Sequence, residues 1–176
     1  LVKNLLGDMG FADVKFTPST LAQAYYLLPQ KKREGYAFLL DIGFVTSSIS
    51  VVYGNGIVHE ENFNCGIASV LVGLIETFKI DFSVAEEILA IANISGGNVP
   101  KDLTYTSELT NQSFSVQMIN EVIKQGLDEL CERIDVFLRR YYYDQNSGAM
   151  SVNPISITGE GVSGIKGATE HIAKRV

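Results

Sequence analysis

The chain has no tryptophan, only two cysteines and only two histidines among its 176 residues, and each scarcity closes off a class of chemistry. Cys65, Cys131, His59 and His171 stand apart with no metal-ligand spacing, which excludes a zinc site of the finger or ribbon type. Both cysteines read as buried free thiols of a reducing compartment. Basic residues are outnumbered, 14 Lys and Arg against 20 Asp and Glu, and the resulting net charge of −6 argues against a nucleic-acid surface. No segment is long and apolar enough to span a membrane. An initiator Met and a signal-like segment are also missing, so the chain is expected to be a piece of a longer protein. Its length suffices to bury a sizeable core, in one compact unit or in two small lobes.

What the chain does have is glycine, placed at two turns. In the first, the apolar run Phe38-Leu39-Leu40 meets Asp41-Ile42-Gly43. A short turn, Phe44-Val45-Thr46, follows, and then a strand alternating Ser with Ile or Val to Val52. One carboxylate and several backbone N–H groups thus share a hairpin tip. Such a tip can hold a metal-bound phosphate, the amides facing the oxygens and the carboxylate the cation or its waters. An ordinary hairpin whose Asp bonds its own turn amides fits the same residues. In the second turn, Ile155-Ser156-Ile157-Thr158 runs into Gly159-Glu160-Gly161 and a helix start. Gly159 and Gly161 permit close backbone approach, and a helix N-terminus offers free N–H groups.

Between and around these turns the pattern predicts α/β architecture. A short helix over Leu1 to Met9 ends at Gly10, and Val14–Phe16 reads as a brief strand. Thr17 as N-cap and Pro18 at the first helical position open a helix through Leu28. The basic stretch Lys31-Lys32-Arg33 reads as a solvated loop. Three antiparallel strands follow, Tyr36–Ile42, Ser47–Tyr53 and Ile57–Asn64, the last two joined by the tight-turn pair Asn55-Gly56. Helical spacing marks Ile67 to Phe78, and Ser83 with Glu86 suggests a capping box for a helix from Asp81 to Ala92. Ser95 to Ser113 is either a flexible loop or a small hairpin through Leu103–Thr106. The longest helix runs from about Phe114 to Tyr142, and its last residues, Tyr141-Tyr142-Tyr143, read as a packed helix end. Ser147-Gly148 is a turn, Val152–Thr158 a strand and Ser163–Lys174 a final helix. His59 falls on a strand, and His171 falls near a helix C-terminus, where a cation suits the dipole.

The order of these parts resembles the actin-like ATPase superfamily, and within it most closely the bacterial cell-division FtsA family. Asp41-Ile42-Gly43-Phe44-Val45-Thr46 stands where that superfamily has Asp-Ile-Gly-Gly-Gly-Thr, its second phosphate loop. Thr158-Gly159-Glu160-Gly161 stands where it has the Thr-Gly-Gly-Gly adenosine loop. Phe16 to Leu27 looks like its connecting helix. The likeness is weakest between Ser95 and Ser113. It implies an actin-like, ribonuclease H-like lobe: a mixed sheet of three antiparallel strands plus parallel additions from Val14–Phe16 and Val152–Thr158, flanked by helices. It divides the chain into a main lobe, 1–80 with 131–176, and a smaller inserted lobe, 81–130.

The resemblance also implies a function. Nucleotide would contact Asp41, Gly43, Thr46, Gly159, Glu160 and Gly161, with Asp41 facing magnesium, and these residues should converge on one cleft. ATP and magnesium would be cofactors of the full-length protein, with none tightly bound to this chain. The family's other phosphate hairpin would precede Leu1, so no ATPase activity is expected of this chain alone. Phe44 and Val45 stand where two glycines would leave room for phosphate oxygens. Glu160 also replaces a glycine, and either repels phosphate or bonds a ribose hydroxyl. Thr17 is a poor base where relatives orient the attacking water. Implied partners are copies of itself in filaments and an FtsZ-like division polymer, in a cytoplasmic protein tied to the membrane by a segment this chain lacks. The other reading is a degenerate actin-like scaffold without turnover, as in PilM-like pilus assembly.

Overall fold

The computed structural model describes residues 1–97, 99–144 and 155–176, the last five residues of the second stretch by backbone alone. Ser147-Gly148, the start of the expected strand at Val152, and the side chains of Tyr141 to Tyr143 therefore lie outside the described residues.

The architecture is α/β around a four-stranded mixed sheet. Its strands are β1 (Ala37–Ile42), β2 (Ser47–Tyr53), β3 (Gly56–Phe63) and β6 (Ile155–Thr158), in the order β3-β2-β1-β6. The first three form an antiparallel meander, and β6 pairs with β1 in parallel, Phe38 opposite Ile155 and Asp41 opposite Thr158. The three antiparallel strands thus lie where the alternation of the sequence predicts. β1 is buried along almost its whole length because both its faces are covered, which is why it reads as an unbroken apolar run.

Phe38, Leu40 and Ile42 point to the large core, which is closed by α4 (Ile67–Phe78), α5 (Phe82–Ile91), α6 (Val116–Asp144) and α8 (Ala168–Arg175). Ile119, Ile123, Leu127, Leu130, Ile134 and Phe137 form the buried stripe of α6. On the opposite face, Ala37, Leu39 and Val52 pack against Ala24 and Leu28 of the helix α2 (Ser19–Leu27) and the turn after it. The short helix α1 (Val2–Asp8) precedes α2 and buries no residue.

Several expectations are corrected. Val14–Phe16 is not a strand. It has no regular secondary structure, and Phe16 is 67% exposed. Pro18, not Thr17, is the N-cap of α2. The basic loop contains a helical turn, α3 (Gln30–Arg33), and Arg33 is buried. Its guanidinium donates to Leu28 O at 3.0 Å, Gly54 O at 2.8 Å and Asn55 Oδ1 at 2.9 Å, and lies 4.6 Å from the Tyr25 ring centre. Asp81 is the N-cap of α5, so Ser83 and Glu86 sit inside the helix and form no capping box. The final helix is two pieces, α7 (Glu160–Ser163) and α8. The chain between them is drawn aside because Ile94 N donates to Lys166 O at 2.8 Å.

The segment after α5 resolves the choice between loop and hairpin. β4 (Thr104–Thr106) and β5 (Ser113–Ser115) form a separate two-stranded sheet. One carboxylate ties it to α5. Glu87 accepts hydrogen bonds from Tyr105 Oη at 2.6 Å, Ser107 Oγ at 2.6 Å and Glu108 N at 2.7 Å. The bonds from Ser107 and Tyr105 hold the Glu87 carboxyl below its ordinary range, and the same pairing pushes the Tyr105 phenol up to about 12. Glu87 thus contributes stability above the unfolded carboxyl range, lost as pH falls through the depressed value. Tyr105 contributes stability below pH 10, lost as pH rises through about 12. In an ultraviolet titration, one tyrosine should therefore ionise near pH 12, and Glu87→Gln should return it toward 10.

Candidate functional site

β1 and β6 end side by side, and their two turns leave the same edge of the sheet. Side chains alternate along β1, so Asp41 points away from the large core, toward α2. There Gln23 Nε2 donates to Asp41 Oδ2 at 2.9 Å. The β1–β2 turn is closed by Gly43 N donating to Thr46 O at 3.1 Å. Two carbonyls of this turn then face α4: Gly43 O accepts from Ile67 N at 3.1 Å and Phe44 O from Ala68 N at 2.8 Å. The first amides of α4 are thus satisfied by the hairpin tip, which seats the tip on the helix.

The second turn packs on the first. Gly159 has φ +109°, and a Cβ there would overlap the carbonyl oxygen of Ile42. A Cβ on Gly161 would come within 3.1 Å of Gly43 O. These two glycines let two backbone turns touch.

The result is a cleft of ≈ 860 Å³ at the ends of β1 and β6. Asp41, Gly43, Gly159, Glu160 and Gly161 all line it, together with Phe44 and Thr158. Ile67 and Leu71 of α4, and Glu86, Leu89 and Ala90 of α5, form its far wall. Thr46 is not brought in. It stands exposed at the tip, its carbonyl engaged by Gly43. Val45 is 62% exposed and Thr17 is exposed, and neither lines the cleft. Sequence reasoning missed Gln23 and Glu86 as cleft residues, because neither carries a local pattern that distinguishes it from other polar helix positions. Among the described residues three carboxylates, Asp41, Glu86 and Glu160, line the cleft, and no Lys, Arg or His does.

No family model matches the chain, and no curated protein matches it by sequence. Solved structures do match. Ta0583, an archaeal actin homolog, superposes with a TM-score of 0.63 at 16% identity, over 91% of this chain and 46% of its own. The fold is actin-like. MreB5 of Spiroplasma citri bound to AMPPNP matches with a TM-score of 0.67 at 14% identity, over 94% of this chain and 53% of its own. A chain of the PilM–PilN type IV pilus biogenesis complex matches with a TM-score of 0.63 at 16% identity, over 99% of this chain and 44% of its own. This actin-like chain spans about half the length of the solved structures it resembles.

If the cleft depends on the seating of Gly159, adding one methyl group should disrupt it. Gly159→Ala combines backbone strain with overlap on Ile42, and should lower stability by about 3 kcal/mol in denaturant unfolding. Gly164→Ala, where a Cβ meets nothing within 4 Å, should change it by less than about 0.5 kcal/mol.

Proposed function

We propose that this chain is one lobe of an actin-like assembly protein and supplies one wall of a nucleotide cleft. The observation that carries the reading is the meeting of Asp41 with the Gly159–Gly161 turn at the ends of two parallel-paired strands, opening on one cleft. Strand ends of this kind are where α/β sheets hold ligands. Similar structures are described with AMPPNP and with ADP bound. Asp41, Gly43, Gly159, Glu160 and Gly161 would contact the nucleotide, with Thr46 at the tip beside it. Asp41 would face magnesium. Among the described residues no group of three or more His, Cys, Asp or Glu could hold a metal ion. Magnesium binds through one or two carboxylates plus the oxygens of a phosphate, and Asp41 would supply one such carboxylate. The three cleft carboxylates would repel a bare polyphosphate, so binding requires the cation.

The finer reading is an FtsA-like, filament-forming division component that anchors an FtsZ-like polymer at the membrane. Its support is the sequence likeness of both turns and of the helix that follows Phe16. In this reading the main lobe is 1–80 with 131–176, and the smaller lobe, 81–130, carries α5 and the β4–β5 sheet pinned to it by Glu87. Among the described residues no helix is long and apolar enough to cross a membrane, so the anchor would belong to another segment.

A second reading, a scaffold without turnover of the PilM kind, is favoured by the hairpin tip. Phe44, which stands where the superfamily has a glycine, lines the cleft there, where phosphate oxygens would need room. The two readings part on AMPPNP titration and ATP turnover of the full-length protein, with and without magnesium. The first expects magnesium-dependent binding and slow hydrolysis; the second expects neither. Steric crowding by Phe44 predicts that Phe44→Gly tightens binding about tenfold. Glu160→Gly should tighten it separately, by an amount that shrinks as salt rises. Tight binding that ignores magnesium would overturn the reading of Asp41.

A further inference from the structure

We propose that Gln23 is a positioning residue of this cleft: its side-chain amide sets the orientation of the Asp41 carboxylate and thereby the magnesium dependence of nucleotide binding. The inference rests on the nucleotide reading above and adds a residue that the sequence did not single out. Gln23 lines the cleft beside Asp41 and gives its Nε2 to Oδ2 at 2.9 Å. Among the described residues Asp41 Oδ1 has no partner, so one oxygen is held and the other is presented.

The helix segment that carries the amide is anchored beside it. The next residue, Ala24, is fully buried against the sheet with Leu28. Tyr25 lies against the Arg33 guanidinium and donates its hydroxyl to Asn55 O at 3.1 Å. α2 is thus anchored to the sheet and to the β2–β3 turn by the residues that directly follow Gln23, which fixes the backbone from which its side chain reaches Asp41. A neutral donor suits the task. It fixes a carboxylate without cancelling the charge that would attract a cation, and outer partners of this kind tune metal affinity by about 10–100-fold.

The test is a magnesium titration of the full-length protein at fixed AMPPNP, read as nucleotide binding by calorimetry, beside the melting temperature without nucleotide. Gln23→Ala should raise the magnesium midpoint about tenfold. A purely structural tie would lower the melting temperature and leave the midpoint in place. If Gln23→Ala does not fold, Gln23→Met, which keeps the length and loses the donor, takes its place. A midpoint within about twofold of the unmodified protein, in a protein that does bind with magnesium, would overturn the inference alone. No magnesium-dependent binding by the unmodified protein would overturn the nucleotide reading, and this inference with it.

Discussion

The backbone contact between Gly159 and Ile42 is the constraint on which the rest of the site depends. β1 and β6 can end together only if the turn leaving β6 lies directly on the last residue of β1, and only a residue without a side chain fits there. Because Gly159 takes that place, Glu160 begins α7 at the cleft and Gly161 approaches Gly43. The same hairpin tip gives its carbonyls to the first amides of α4. Four elements are thereby locked at one edge of the sheet, and the space they leave between them is the cleft.

The electrostatics of that space follow from which side chains the lock leaves exposed to it. Asp41 is the one carboxylate of β1, turned to the α2 face by strand alternation and met there by Gln23. Glu86 comes from α5, whose next residue, Glu87, is occupied in holding the β4–β5 sheet. Glu160 comes from the second turn. Among the described residues no basic side chain is in the lining, so in the proposed reading a nucleotide would have to bring its own cation.

Much of this was legible in the sequence. The meander was fixed by alternating Ser and Ile or Val and by Asn55-Gly56, and the α4 and α6 stripes by their helical spacing. The convergence of both glycine turns followed from the resemblance, not from any local pattern. What escaped was tertiary in origin. Val14–Phe16 has the composition of a strand but no neighbour to pair with. The break between α7 and α8 depends on the bond from Ile94 to Lys166, far apart in sequence. Arg33 looks like part of a solvated basic run, and only the folded chain shows carbonyls of Leu28 and Gly54 converging on it. Gln23 sits on an otherwise ordinary helix, and its meaning appears only once Asp41 is placed opposite.

The central claim is that the two turns act as one binding surface for a magnesium–nucleotide complex. Amide chemical shifts of the full-length protein, labelled with nitrogen-15 at glycine and titrated with AMPPNP in magnesium, test it most directly. The account predicts that Gly43, Gly159 and Gly161 shift together on one saturation curve, while Gly10 and Gly54, which lie away from the cleft, stay in place. Shifts at only one of the two turns, or at neither while nucleotide binds, would contradict it.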